Sequence, residues 1–314
     1  VVERFEFMRP AMGTQFRITL FAANAEAARA AADTAFDRID KLEEILSDYQ
    51  ADSELSLLRE APPGTALKVS EDLFAVLWQA REVSERTYGV FDVTAGPYTR
   101  LWRFSRKRKT LPSQSELAEA RSAVGFEKLH LDATNRTVTL TVPGMRLDVG
   151  GIAKGYSADA ALALLKDLGF PRALVAASGD IVAGDAPPGK KGWRVAISNM
   201  AGSNTLGQVL LLRHMAVSTS GDSEQSIEIE GARYSHILDM RTGLGLTNQV
   251  QATVVAPRAT ITDALATALR SLGAKQGMTV LRGFPRTSAL IVEERNGRSV
   301  VTVSRGFRRH AVKE

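Results

Sequence analysis

Cysteine is absent from all 314 residues, which excludes disulfides, thiolate metal sites and a cysteine nucleophile and leaves packing alone to hold the fold. Aromatic residues are sparse, at 6 %, and no nucleic-acid-binding motif or interleaving of aromatic with basic residues occurs, so no nucleic-acid partner is expected. Long apolar runs are missing as well. The best candidate, 159–169, is interrupted by Lys166 and Asp167 and falls short of the roughly 20 residues that a membrane-crossing helix needs. There is no internal repeat and no low-complexity tract. What is present is a 44 % hydrophobic content, ordinary for a globular chain. Forty Lys plus Arg stand against 35 Asp plus Glu, a formal charge of +5 that mildly favours an anionic ligand. Basic residues gather at 103–109 and 305–313 and read as solvated loop and tail.

Hydrophobic periodicity sets out the elements. Alternation over 15–21 predicts a strand, and Ala28, Ala32, Ala35, Ile39, Leu42 and Leu46 form one stripe of a helix over 25–46. A second helix is expected over 71–86 with Ser70 as its N-cap, and a third over 115–124. The Gly-, Pro- and aromatic-rich stretch 88–104 between them reads as an ordered loop. Short strands are predicted at 129–131, 137–141 and 145–148, then a helix over 158–168. Residues 173–177, 193–197, 209–212 and 216–219 suggest a second sheet, and strands at 234–238 and 250–255 precede a helix over 261–272 and a further short one. The runs 288–293 and 299–304 flank Asn296-Gly297, a hairpin signal. Pro187, Pro188 and Gly189 mark a turn.

The most informative stretch is Leu147-Asp-Val-Gly-Gly-Ile-Ala-Lys-Gly-Tyr156, which joins an apolar strand to a helix through glycines that expose backbone N–H groups. Gly150, Gly151 and Gly155 permit close backbone approach, Lys154 supplies a positive charge, and a helix N-terminus favours an anion. The spacing is neither a Walker loop nor a dinucleotide fingerprint, and a tight strand-to-helix turn explains the same residues. Asp263 and Thr267 stand four apart on one expected helix face and fit one hard cation completed by substrate phosphates; a Thr260/Asp263 capping box with a back-bonded Thr267 fits equally. His236, in a strand running into a turn with Asp239 nearby, is either a proton acceptor or a structural histidine. Ser218-Thr-Ser-Gly-Asp222 reads as a turn able to meet phosphate oxygens. Tyr49 either stacks on a flat ring system or caps the long helix against the core. His130, His214 and His310 read as structural or exposed.

In order, these pieces resemble the ApbE-type FAD:protein FMN transferases over nearly the whole chain. The resemblance rests on Met12-Gly-Thr14, Ser47-x-Tyr49 with Ser53-Glu-Leu-Ser56, and Thr87-Tyr-Gly-Val-Phe-Asp-Val-Thr94 with Gly96-Pro97 and Leu101-Trp102. It continues through Asp148-Val-Gly-Gly-Ile-Ala-Lys-Gly155, Ser220-Gly-Asp222, Tyr234-Ser-His236 with Asp239 and Thr242-Gly243, and Asp263-x-x-x-Thr267. It implies an α+β fold, similar to the T-fold, forming a single 1–314 domain of two mixed α/β lobes around a central FAD cleft. It further implies a Mg²⁺-dependent transfer in which FAD is split at its diphosphate, FMN is joined by a phosphoester to a Ser or Thr of an acceptor flavoprotein, and AMP leaves. By position Asp263, Thr267 and the Gly151 carbonyl match the metal ligands, and His236 matches the base or near-attack group and contacts FAD. Met12, Tyr49, Val90, Phe91, Asp92, Asp148 and Lys154 match FAD-contacting positions. The chain departs from the family at Gly151, Met240 and Arg59, where Ala, Pro and Asn are common. Two rival readings are a Mg²⁺-dependent FAD pyrophosphatase, in which water replaces the acceptor hydroxyl, and a non-catalytic FAD-binding protein. The family is usually exported, so a periplasmic or extracytoplasmic location is expected, with membrane tethering through an N-terminal lipid anchor removed from the chain that begins at Val1.

Overall fold

The computed structural model describes residues 2–197, 208–221 and 226–312. Among them the α-helices are α1 (Ala25–Leu46), α2 (Glu54–Leu57), α3 (Glu71–Arg86), α4 (Gly96–Arg108), α5 (Gln114–Ser122), α6 (Ala153–Asp167) and α7 (Ala259–Leu281). The chain divides into two compact units, the first comprising Val1–Glu43, Ile152–Gly221 and Gln251–Glu314, the second Glu44–Gly151 and Asp222–Val250. No helix among the described residues is long and apolar enough to cross a membrane.

The first unit is built on an eight-stranded sheet with the order Glu3–Ala11, Thr14–Ala22, Ala173–Ala177, Asp180–Ala183, Met215–Ser220, Val250–Ala256, Ser288–Arg295 and Arg298–Val303. Alternation along these strands feeds two cores. Phe16, Ile18, Val182 and Ala216 pack with Ala28, Ala32, Phe36 and Ile39 of α1 and Ala158, Ala161 and Leu165 of α6. Their strand neighbours Ala183 and Val217 join Val255, Leu290 and Val292 in the other core, together with Trp193, Val195, Leu210 and Leu212, which come from a separate two-stranded sheet. The small residues of α1 and α6 let the helices lie close to the sheet.

The edge strand Glu3–Ala11, which periodicity did not mark, turns back through Met12 and Gly13, both at positive φ (51° and 70°), with Ala11 opposite Thr14. Its twist suits a two-residue hairpin, but the usual Asn-Gly signal is replaced by Met-Gly. Asn296 and Gly297, at φ 52° and 72°, close the expected last hairpin. The expected break after 272 is also present: Gly273, at φ 70° and ψ −179°, interrupts α7.

In the second unit α3 begins after Ser70, whose Oγ accepts the Leu73 N–H, and α5 opens with a reciprocal capping box between Ser113 and Glu116. A three-stranded sheet has the order Ala66–Lys68, Thr137–Leu140, Leu129–Asp132. Three expectations are corrected. The stretch 88–104 is not a loop throughout: Pro97 starts α4, a helix that buries Tyr98 and Trp102 and carries Arg106, Lys107 and Arg108 in its last turn, where cations suit the dipole. Residues 145–148 are not a strand; Met145, Leu147 and Val149 are buried in alternation, which mimics one without a ladder. Finally, 173–177 and 216–219 do not form a second sheet but join the strand begun at Thr14.

Candidate active site

The glycine-rich stretch divides at the unit boundary. Its second half does not lead to a helix at 158 as expected, because α6 already begins at Ala153; Lys154 and Gly155 therefore sit in the first helical turn. Asp159, one turn on, accepts the Ala259 N–H at 2.8 Å, the Thr260 N–H at 2.9 Å and the Thr260 hydroxyl at 2.6 Å. This carboxylate caps α7 from α6, so the local Thr260/Asp263 box is not what starts the helix. The bond also fixes the approach of the two helices. A Cβ at Gly155 would lie 2.2 Å from the Ala259 carbonyl oxygen and 2.9 Å from Asp263 Cβ, so only glycine fits there.

This contact delivers Asp263 to Lys154. The Asp263 side chain accepts the Gly155 N–H at 3.0 Å, and Lys154 Nζ lies 3.4 Å from both of its carboxylate oxygens. Lys154 Nζ is also 3.2 Å from Asp180. Asp180 was not singled out in the sequence; its only signal is the Ser178-Gly179 turn that precedes it and starts an unmarked strand. Asp263 is 5 % exposed. Burial and the Asp180 charge, opposed by Lys154 and the Gly155 N–H, raise it to about 7. Burial draws Lys154 down, but Asp180 and Asp263 outweigh it and hold the ammonium above the usual lysine range.

Two buried carboxylates thus share one ammonium, an arrangement that calls for more positive charge. Thr267 lies one turn beyond Asp263 on α7 and is half-buried. Among the described residues no three His, Cys, Asp or Glu side chains converge as a metal cage. The all-oxygen donors fit a hard ion such as Mg²⁺, which is commonly held by one or two carboxylates and completed by water and substrate phosphates. Met12 belongs to the same unit, and its sulfur accepts the Ser157 hydroxyl of α6 at 3.4 Å. Ser218 is not in a turn but within the strand Met215–Ser220, its hydroxyl 2.7 Å from that of Thr262. Asp222, of the same motif, lies outside the described residues.

The other candidates belong to the second unit. Asp148 Oδ1 accepts the Gly150 N–H at 2.9 Å and Oδ2 the Thr99 hydroxyl at 2.8 Å, ordering the loop that ends at Gly151. The Asp148 N–H in turn donates to the Val93 carbonyl at 2.7 Å. Asp92 is buried and accepts the Thr94 N–H and hydroxyl at 2.8 and 2.7 Å; burial, against these bonds, raises its pKa. Phe91 is buried beside it and Val90 half-buried. Tyr49 does not cap the core: it is 79 % exposed, with the Arg103 guanidinium 4.0 Å over its ring and Arg103 held by Asp48 at 2.7 Å. Asp48 and Arg103 escaped the sequence reading because a helix had to bring residue 103 back to residue 48.

His236 is half-buried at a bend between the strands Ala232–Ser235 and Leu238–Asp239. Its neighbour Ser235 is fixed from both sides, its carbonyl oxygen accepting the Trp102 Nε1–H at 3.0 Å and its Oγ accepting the Ile237 N–H at 3.0 Å. Asp239 holds Arg241 with both oxygens at 3.0 and 2.8 Å. Of the remaining histidines, His130 is exposed and His214 pairs with Asp185 at 2.9 Å.

A sequence model of the ApbE family matches residues 12–291. The chain is 33 % identical over 297 residues to the FAD:protein FMN transferase of Treponema pallidum, covering 90 % of this chain and 82 % of that protein. It is 29 % identical over 300 residues to the FAD:protein FMN transferase of Vibrio cholerae, covering 94 % and 89 %. Among solved structures it is similar to the flavin transferase ApbE from Vibrio cholerae, with a TM-score of 0.89 at 26 % identity over 99 % of this chain and 100 % of that one. The apbe protein from Thermotoga maritima gives a TM-score of 0.88 at 28 % identity, again over 99 % and 100 %.

Proposed function

The chain belongs to the ApbE family, and from that premise and its own site we propose that it is a Mg²⁺-dependent FAD:protein FMN transferase. In this reading a Ser or Thr hydroxyl of an acceptor flavoprotein attacks the FMN-side phosphorus of FAD. A phosphoester forms there, the bond to the AMP phosphate breaks, and AMP leaves with the bridging oxygen. The observation that carries the proposal is the buried pair Asp263 and Asp180 around the ammonium of Lys154, a site short of positive charge among the described residues.

Asp263 and Thr267 would hold Mg²⁺, with the Gly151 carbonyl as a further ligand. Bound there, the ion supplies the charge that makes the diphosphate open to a nucleophile. Lys154, kept protonated by its two acids, faces the same anionic oxygens as a fixed cation. His236 receives the proton of the acceptor hydroxyl, its backbone held by Ser235 and Trp102, since a neutral alcohol attacks a shielded phosphorus poorly. Met12 and Tyr49 contact the FAD, and Asp148 sets the loop that precedes the metal.

Incubation with FAD, Mg²⁺ and a peptide carrying Thr beside Gly-Ala tests this by mass spectrometry. The expected product is the peptide heavier by FMN minus water, with AMP released. Free FMN and AMP with an unmodified peptide would make the chain a pyrophosphatase, and intact FAD would end the catalytic reading.

A further inference from the structure

The basic run 103–109 is the end of α4 rather than a solvated loop, and the helix turns its cations into two cavities of the second unit. The first, of about 330 Å³, is walled by Arg59, Arg100, Arg103, Lys107 and Arg146. Asp48 is the one carboxylate among its lining residues, and it is already bonded to Arg103 at 2.7 Å. The second, of about 740 Å³, shares Arg100, Phe104 and Arg146 with the first and adds Arg108. Of its two acids, Glu116 is engaged by the N–H and hydroxyl of Ser113. Positions 100, 103, 104, 107 and 108 share one face of α4, with 103 and 107 toward one edge and 104 and 108 toward the other, so this face borders both adjoining cationic hollows.

Arg59 is paired with Glu60 at 3.0 Å and Arg103 with Asp48, but the other charges are not neutralised in this way. Arg100, Lys107 and Arg146 enter no ion pair among the described residues, and burial together with the Arg59 and Arg100 charges draws Arg146 below the usual arginine range. Between the hollows Phe104 is 47 % exposed, with the Arg100 and Arg108 guanidinium groups 5.7 and 5.8 Å from its ring centre. An apolar knob framed by cations in a concave surface matches an extended chain bearing carboxylates and an apolar side chain.

We propose that the paired hollows beside α4 form a docking groove for an acidic polypeptide segment, the one carried by the acceptor flavoprotein. The identity of that occupant rests on the transferase reading above; the groove's preference for an acidic chain does not. A bilayer surface is the weaker match, because the groove carries a single exposed aromatic.

Two fluorescein-labelled peptides test it, with the same Thr-containing core flanked by several Asp and Glu or by the matching Asn and Gln. Anisotropy with the full chain, without FAD or Mg²⁺, is expected to give about tenfold tighter binding of the acidic peptide at about 50 mM salt, the sum of a few exposed charge pairs, and to lose the preference at about 0.5 M. The variant Arg100→Ala/Lys107→Ala/Arg108→Ala should bind both peptides equally while FAD affinity and melting temperature hold, and Arg100→Lys/Arg108→Lys should keep the preference. With FAD and Mg²⁺ the acidic peptide should show a KM about tenfold lower at unchanged kcat. Equal binding of the two peptides, or a preference that survives in the alanine variant, overturns the proposal. So does alanine-sensitive binding to phosphatidylglycerol vesicles with no preference between peptides, which would make the groove a membrane contact. If neither peptide accepts FMN while the acidic one still binds through these cations, the groove stands and the transferase reading falls.

Discussion

Mg²⁺ affinity should rise with pH through neutrality, and the reason lies in Asp263. Its carboxyl titrates at about 7 because burial and the Asp180 charge outweigh the help of Lys154 and the Gly155 N–H. A carboxyl must lose its proton before it ligates a cation. At pH 6 roughly nine in ten copies are protonated and at pH 8 roughly one in ten, so apparent affinity should improve by about tenfold between them. Lys154, held above the usual lysine range by its two acids, stays charged throughout and adds no slope. Titration calorimetry at pH 6, 7 and 8 in buffers of differing ionisation enthalpy reads both the affinity and the proton released on binding. The sign for stability is the opposite in the metal-free chain. A carboxyl raised above its unfolded value stabilises the fold fully below that unfolded value and loses the contribution as pH climbs through about 7. Melting temperature without metal should therefore fall from pH 5 to pH 8 relative to Asp263→Asn, and Mg²⁺ should recover the difference at pH 8. Affinity that is flat across this range, or a slope unchanged in Asp263→Asn, would refute the assignment.

Asp180→Asn removes the charge that keeps Asp263 protonated, so the midpoint of the Mg²⁺ affinity profile should move to lower pH while affinity at pH 8 weakens; an unmoved midpoint separates Asp180 from the site. Gly155→Ala would drive a Cβ to 2.2 Å from the Ala259 carbonyl oxygen, and forcing α6 from α7 should cost about 1–3 kcal/mol, read as a lower urea midpoint at unchanged slope. Loss of Mg²⁺ response should accompany it, since the same shift pulls Asp263 from the Gly155 N–H. His236→Ala should retain FAD, measured by quenching of flavin fluorescence, while FMN transfer falls by roughly 10²–10⁴-fold, the range of a general base; a normal transfer rate would remove it from catalysis.

What could be read in the chain was whatever depends on near neighbours. The stripe from Ala28 to Leu46, the Ser70 cap and the Asn296-Gly297 turn are local signals, and each element appears where its signal lay. Asp263 and Thr267 stand out in the sequence because they share one helix face, and α7 places them one turn apart. Asp180 does not, because its importance comes from a strand pairing that brings it to Lys154. Asp159 was passed over for a similar reason: Thr260 and Asp263 satisfy a local capping pattern, whereas the actual cap comes from a residue on α6. The stretch 88–104 reads as a loop because Gly and Pro punctuate loops, whereas Pro97 occupies the opening turn of a helix, where its missing N–H costs nothing.

The same long-range contacts bear on the proposed cation site, which would be built around a lysine. An isolated pair of buried carboxylates would repel and one would remain protonated. Lys154 relieves part of that repulsion, but one ammonium against two acids leaves Asp263 only about half ionised near neutral pH rather than firmly ionised. Under the proposed function such a site would favour a divalent ion that arrives with substrate, because the ion would displace a proton that binds weakly at that pH instead of competing with a complete ion pair. Had Asp180 been absent, Lys154 and Asp263 would form a satisfied salt bridge and the metal would have to break it. On the proposed reading Asp180 would keep the lysine from closing the site, and this would separate a device for binding a cation from a structural ion pair made of the same residues.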